Sequence, residues 1–203
     1  MFQRQTPRLI LASASVSRRA LLSAAGLDFT VRAAEVDERA VKRQARVERL
    51  DAARVALRLA ELKAEAVARL QSEALVIGAD QILVCDGEWF DKPADLAQAR
   101  RQLLALRGRR HELATAVVCQ QGTRRLWHHV AIPSLAMRMF SEGFLDAYLA
   151  VEATVITATV GAYQLERCGV HLFATVDGDY SAIVGLPLLP LLGFLREQGV
   201  LLA

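Results

Sequence analysis

The sequence predicts an α/β protein with a mixed sheet flanked by helices. Short apolar runs rich in β-branched residues, 8–12 and 75–77 among them, alternate with longer segments whose apolar residues recur every three or four positions. Such alternation marks layered strands and helices. Asp86-Gly87, set between the apolar stretches 82–85 and 88–90, is a strong short hairpin signal, so part of the sheet must be antiparallel.

Residues 8–12 form the expected first strand, which breaks into Ser13-Ala14-Ser15-Val16-Ser17 before a helix from Arg18 to Ala25, stopped by Gly26. A serine-rich turn between a strand and a helix N-terminus makes an anion site, because unpaired N–H groups and the helix dipole point the same way. Ser13 and Ser15 are either donors in that site, beside Arg18, or plain N-caps. Residues 27–33 suggest a second strand, and Glu35, Asp37 and Glu38 behind it read as a solvated turn. From Val47 through Leu50, Ala53, Leu57, Ala60 and Ala64 to Val67, the spacing predicts one long amphipathic helix. Lys63 borders its apolar face, as a surface lysine or as one that reaches the core side.

Residues 75–77 read as a buried strand, Gly78 and Ala79 leave room beside the backbone, and Asp80 follows at the strand end. Asp80 either caps a turn or is a poorly solvated carboxylate suited to a metal or a base. The Asp86-Gly87 hairpin folds Asp91-Lys92-Pro93 back toward Asp80, which makes Lys92 a salt-bridge partner or a phosphate ligand. Asp95 should cap a helix to Leu106, ended by Gly108. Strands are expected over 111–119, 124–132, 135–140 and 170–176, with a helix over 141–150 and a glycine-marked loop over 160–166. Gly185-Leu186-Pro187 introduces the C-terminal helix.

The chain has 203 residues, 53% of them hydrophobic and 23% charged, which fits one domain with a sizeable core. Its charge of +3 comes from arginines scattered among acids, favouring an anionic small molecule in a pocket over a nucleic-acid partner. Cys85, Cys119 and Cys168 are too widely spaced for a zinc set and read as reduced thiols of a cytoplasmic protein. The apolar segment 183–195 is short for a membrane span and contains Pro187 and Pro190, and the N-terminal apolar run is too short for a signal peptide. Phosphate-loop, dinucleotide, zinc-protease and nucleophile-elbow motifs are all missing from the sequence. His111, His128, His129 and His171 are dispersed, and His111 is expected in the core. What remains is hydroxyls and Arg18 at a helix start, Lys63, Lys92, and the acids Glu38 and Asp80. Cations and hydroxyls hold phosphates and paired acids hold a hard divalent ion, a set that suits a nucleotide better than a sugar or a peptide.

Leu11-Ala12-Ser13-Ala14-Ser15, with Arg18 and Leu21-Leu22, resembles the opening signature of the Maf family of nucleoside triphosphate pyrophosphatases. In the family order follow Lys63, Gly78-Ala79-Asp80, Asp91-Lys92-Pro93, Gly108 with His111, Gly161-Ala162-Tyr163, Gly178-Asp179-Tyr180 and Val184-Gly185-Leu186-Pro187. The resemblance implies a two-lobed fold of the inosine-triphosphate-pyrophosphatase type with a cleft between the lobes, and commonly a homodimer. It also implies hydrolysis of a nucleoside triphosphate to the monophosphate and pyrophosphate with Mg2+ or Mn2+, clearing non-standard nucleotides. By position, Asp80 is the implied catalytic acid and a metal ligand with Glu38, while Ser13, Ser15, Arg18, Lys63 and Lys92 bind substrate.

Departures from the family pattern concern specificity. Val16-Ser17 stands where a proline and an arginine are usual, and Thr159-Val160 where a lysine or cysteine precedes Gly-Ala-Tyr. Gln81 and Glu166 replace the threonine and glutamine of the branch preferring dTTP and UTP, and resemble the branch acting on 7-methyl-GTP. Ser17, Gln81 and Glu166 are therefore the expected specificity residues. The alternatives are a UTP- or dTTP-preferring pyrophosphatase, or a nucleotide-binding regulator of cell division with incidental hydrolysis, the septum-formation role for which the family was named.

Overall fold

A long antiparallel pair, β3 (Leu75–Cys85) with β5 (Arg110–Gln121), forms the spine of the computed structural model, which describes residues 2–202. The ladder runs from Val76 opposite Gln120 to Val84 opposite Glu112. Each end of the spine carries its own neighbours. At one end β3 pairs in parallel with β1 (Leu9–Leu11), which pairs in parallel with β2 (Thr30–Val31), while β5 pairs with β6 (Arg124–Ala131). At the other end β3 turns into β4 (Glu88–Phe90), and β5 pairs with β7 (Ser134–Met137), which pairs with β8 (Phe173–Asp177). The expected mixed sheet and two-lobed α/β fold are both present.

The helices follow from their caps and apolar stripes. α1 (Val16–Ala24), α2 (Glu38–Val47), α3 (Ala52–Ala68), α4 (Leu96–Leu106) and α5 (Glu142–Glu152) begin after Ser15, Asp37, Asp51, Asp95 and Ser141, each of which accepts a backbone N–H near its helix start. α6 (Tyr180–Val184) follows Asp179, and α7 (Leu188–Glu197) follows Pro187. One apolar cluster lies between α3 and the sheet, a second under α7 and α1, and a third in the far lobe beneath α4 and α5. No described helix is long and apolar enough to cross a membrane.

Several expected boundaries change. Glu38 opens α2 instead of sitting in a solvated turn, because Asp37 accepts the Ala40 N–H at 2.9 Å. The single long helix from Val47 is two: Val47 ends α2 and is exposed, Arg49 adopts φ +54°, and α3 starts after Asp51. Asp80 lies in the middle of β3, which continues without a break through the expected hairpin strand. Strand 135–140 stops at Met137, and 170–172 belongs to a 3₁₀ turn ahead of β8. The hairpin itself is as expected, with Asp86 at φ +48° and Gly87 at φ +83°, the left-handed pair that a two-residue turn demands.

Candidate active site

Close packing of α3 on β3 builds the centre of the site. Added at Gly78, a Cβ would lie 2.3 Å from the Ala60 carbonyl oxygen and 2.8 Å from Ala64 Cβ, so only glycine lets α3 approach this far. Lys63 thereby reaches over the strand. Its Nζ stands 2.5 Å from Asp80 Oδ1 and 2.6 Å from Glu38 Oε1, joining α3, β3 and the first residue of α2. Asp80 is 5% exposed and lies beneath that ammonium, which borders the cleft in its place. Burial alone would raise the Glu38 carboxyl, yet Lys63, aided by Lys42 and Lys92, holds it below its ordinary value.

Around this trio stand the other expected phosphate-binding groups. Ser15 Oγ accepts the Arg18 N–H at 3.4 Å, so it does cap α1, and Ser13 Oγ accepts the Ser15 N–H at 3.2 Å. Arg18 is buried and donates from Nε to the Gly185 carbonyl at 2.8 Å and from Nη1 to the Ala79 carbonyl at 2.9 Å and to Ser13 Oγ at 3.2 Å. It therefore ties α1, β3 and the α6–α7 corner together besides lining the cleft. Burial lowers its pKa, opposed by Asp80 and Glu38. Lys92 shares the cleft wall; burial and the nearby Arg18 lower its pKa. Lys42 bonds Asp91 at 2.5 Å and so anchors the Lys92 loop to α2.

Ser13, Ser15, Ser17, Arg18, Glu38, Lys63, Lys92 and Glu166 all border one cleft of about 740 Å³ between the lobes. Deeper in, Ser17, Gln81, Tyr163 and Glu166 surround a recess of about 30 Å³, room for little more than one water. Ser17 Oγ donates to Glu166 Oε1 at 2.8 Å across its mouth, joining the two lobes. Gln81 donates from Nε2 to Thr115 Oγ1 at 2.8 Å and to the Ala182 and Ile183 carbonyls at 3.0 and 3.1 Å. With its nitrogen occupied, Gln81 has its amide oxygen left to offer a ligand.

His111 lies in the core, as expected, but directly behind the recess. Its Nε2 is 2.8 Å from Tyr163 Oη, its Nδ1 has no partner among the described residues, and burial pushes its pKa down to about 4. The segment between the recess-lining Val160 and Tyr163 is strained, with Ala162 at φ +59° next to Gly161 at φ +73°. Tyr148 Oη donates to the Ala162 carbonyl at 3.2 Å and braces it.

Three contributors carry no signal in the sequence that marks them as site residues. Thr159 and Gln164 border both spaces, and Arg167 borders the cleft as the cation of the second-lobe wall, where the expected lysine position holds Thr159-Val160. They sit in irregular turns that no periodicity marks.

Comparison with known proteins agrees with the resemblance. The family model described as Maf-like protein matches residues 8–198. A nucleoside triphosphate pyrophosphatase of Granulibacter bethesdensis is 53% identical, covering 96% of this chain and 98% of its own. One of Paramagnetospirillum magneticum is 54% identical over 95% and 99%. A 7-methyl-GTP pyrophosphatase of Rhizobium meliloti is 47% identical over 96% and 98%. A match across nearly the whole chain, on a fold and cleft of the expected kind, makes this chain a member of the Maf family.

Proposed function

We propose that this chain hydrolyses a nucleoside triphosphate to the nucleoside monophosphate and pyrophosphate. The observation that carries the reading is the convergence of Glu38 and Asp80 on the Lys63 ammonium, at the edge of a cleft lined by Ser13, Ser15, Arg18 and Lys92. Such a cleft has the cations and donors to hold a polyphosphate. A triphosphate entering it offers Lys63 new oxygens, and as the ammonium moves onto them Asp80 is uncovered. Freed in this way, Asp80 takes the proton of a water attacking the α-phosphorus in line, the bond from that phosphorus to the α–β bridging oxygen breaks and pyrophosphate leaves, while Arg18, Lys63 and Lys92 stabilise the negative charge that develops on the phosphoryl oxygens.

The same two carboxylates fit a hard divalent cation, Mg2+ or Mn2+, since each already places an oxygen within 2.6 Å of a single positive centre and such ions take one or two carboxylates plus phosphate oxygens. Bound by Glu38 and Asp80, the ion would neutralise phosphate charge and polarise the reacting bond. Glu38, held ionised by Lys63, is ready to serve as a ligand.

For the base, we propose a 7-methyl-GTP-like nucleotide. Gln81 has its amide oxygen to offer and Glu166 is a carboxylate, so the recess presents acceptors. Acceptors suit the donor-rich edge of guanine and a cationic methylated ring better than a pyrimidine. Relatives from Rhizobium meliloti and Mesorhizobium japonicum, both 47% identical, are named 7-methyl-GTP pyrophosphatase. At its present size the recess admits a base only after the Ser17–Glu166 bond opens.

The test is a product assay on the purified protein with 7-methyl-GTP, UTP, dTTP and 5-methyl-CTP. Pyrophosphate should appear as the first product, fastest from 7-methyl-GTP. Orthophosphate as the first product would refute the pyrophosphatase reading, and fastest turnover of UTP or dTTP would refute the base assignment.

A further inference from the structure

Resting on the reading above, we infer that Arg167 is a phosphate-binding residue supplied by the second lobe and aimed into the cleft by the buried carboxylate of Glu152. Glu152 ends α5 and is 2% exposed. A carboxylate that deep requires a partner. It has one, since Arg167 Nε donates to Glu152 Oε2 at 3.0 Å and lies 3.4 Å from Oε1.

What the pairing leaves over is the informative part. The Arg167 side chain is 48% exposed, and its two Nη groups make no hydrogen bond to any described residue. Nε is spent on holding the side chain in place. The terminal fork, the part of a guanidinium that matches two phosphate oxygens, is left for the cleft that Arg167 borders. Backbone direction separates this residue from its neighbour. Arg167 is extended, at φ −129° and ψ −152°, so consecutive side chains diverge. Glu166 borders both the recess and the cleft, whereas Arg167 borders the cleft alone.

Across that space stand Ser13, Ser15, Arg18, Lys63 and Lys92. Cations on two facing walls, with Glu38 and Glu166 the only acids among the described residues that border the cleft, call for an anionic ligand that spans the gap. A triphosphate tail does so, and so does the pyrophosphate it releases. α5 serves both halves of this wall. Tyr148, one turn before Glu152, braces the Ala162 carbonyl next to the recess-lining Tyr163, while Glu152 aims the cation at the cleft edge.

Three variants test the assignment: Arg167→Ala, Glu152→Gln, and the double variant, which leaves no buried charge unpaired if the single arginine change impairs folding. KM and kcat for the preferred nucleotide, and the affinity for pyrophosphate measured by calorimetry, are compared with the unaltered protein. Arg167→Ala and the double variant should raise KM and weaken pyrophosphate binding by about tenfold each, with kcat within about twofold and the ranking of bases unchanged. Glu152→Gln, which keeps the cation but loosens its aim, should show a smaller loss in both affinities. If Arg167 only neutralises Glu152, the arginine variant loses thermal stability while the double variant has unaltered KM and pyrophosphate affinity, and the assignment falls. An unaltered protein that binds triphosphate but releases orthophosphate first refutes the pyrophosphatase reading, and the triphosphate affinities of the same variants still decide the role of Arg167.

Discussion

The two walls of the cleft solve the same problem by opposite means. On the first-lobe wall, Arg18, Lys63, Glu38 and Asp80 are charged groups held on or beside regular helices and strands, each neutralised by a neighbour or by backbone carbonyls. On the second-lobe wall the buried polar pair behind the recess, His111 with Tyr163, is neutral, and the chain that lines the recess runs through 3₁₀ turns with a left-handed alanine. Charge fixed on a rigid scaffold suits chemistry, where the same phosphates must be stabilised each time. A wall of irregular turns, with a neutral pair behind the recess and its charges at the cleft edge, suits selection, since turns tolerate change that a packed strand does not.

The largest effect should come from removing charge on the first wall. Asp80→Asn keeps the shape but removes the base, and should lower turnover on the order of a thousandfold while leaving nucleotide affinity within a few-fold. Parallel measurement of pyrophosphate release and of binding separates the two. Unchanged turnover would favour the alternative of a nucleotide-binding regulator with incidental hydrolysis.

The neutral pair of the second wall should reveal itself through pH. Burial holds the folded pKa of His111 at about 4, against 6.5 when unfolded, so the unfolded chain takes the proton first. The stability that follows is therefore complete above pH 6.5 and lost as pH falls toward 4, a difference of about 3 kcal/mol. Urea unfolding at pH 7.5 and pH 4 should show this loss in the unaltered protein, and His111→Gln should remove that part of the slope. Equal slopes in the two proteins would mean that His111 titrates normally and that the second wall is not held by a neutral pair.

Packing beneath the first wall gives the next effect. Gly78→Ala places a methyl against the Ala60 carbonyl and the Ala64 side chain, so α3 must lift. Overpacking of this kind costs about 2 kcal/mol. Lys63 moves with the helix, and turnover should fall by about tenfold beyond any loss of folded protein. A thermal melt and kcat measured on the same sample check both, and a variant normal in each would mean that the close approach of α3 does not position Lys63.

How much of each wall could be read in the sequence follows from the same contrast. The helix–strand alternation, the Asp86-Gly87 turn and the caps at Ser15 and Asp95 are local signals, visible because each depends on a few adjacent residues. Strand and hairpin reasoning brings Asp80 and Lys92 together, although Asp80 lies within β3 and not at a strand end, while Lys63 joins them only through the family resemblance. Glu38 was legible as an acid but its helix was not, because the break at Arg49 is a matter of one backbone angle that periodicity across Val47 and Leu50 conceals. Arg167, Gln164 and Glu152 carry no pattern at all. Their placement depends on two successive 3₁₀ turns, Ile156–Ala158 and Val160–Ala162, folding the chain back on α5, which sequence spacing does not encode.

The smallest effect, and the sharpest for specificity, concerns the residue where the walls touch. Glu166 closes the recess through Ser17 and offers a carboxylate to whatever enters. Glu166→Gln keeps the size and one acceptor, adds a donor, and removes the charge that would attract a methylated cationic ring. Turnover of 7-methyl-GTP relative to UTP and dTTP should then fall by about tenfold, with the rate on the best substrate changed far less than by Asp80→Asn. Because the Ser17 hydroxyl can donate equally well to an amide oxygen, the bridge across the recess survives, and the change in ranking reports the base contact and not the closure. A ranking that does not move would place discrimination elsewhere, with Gln81 the remaining acceptor.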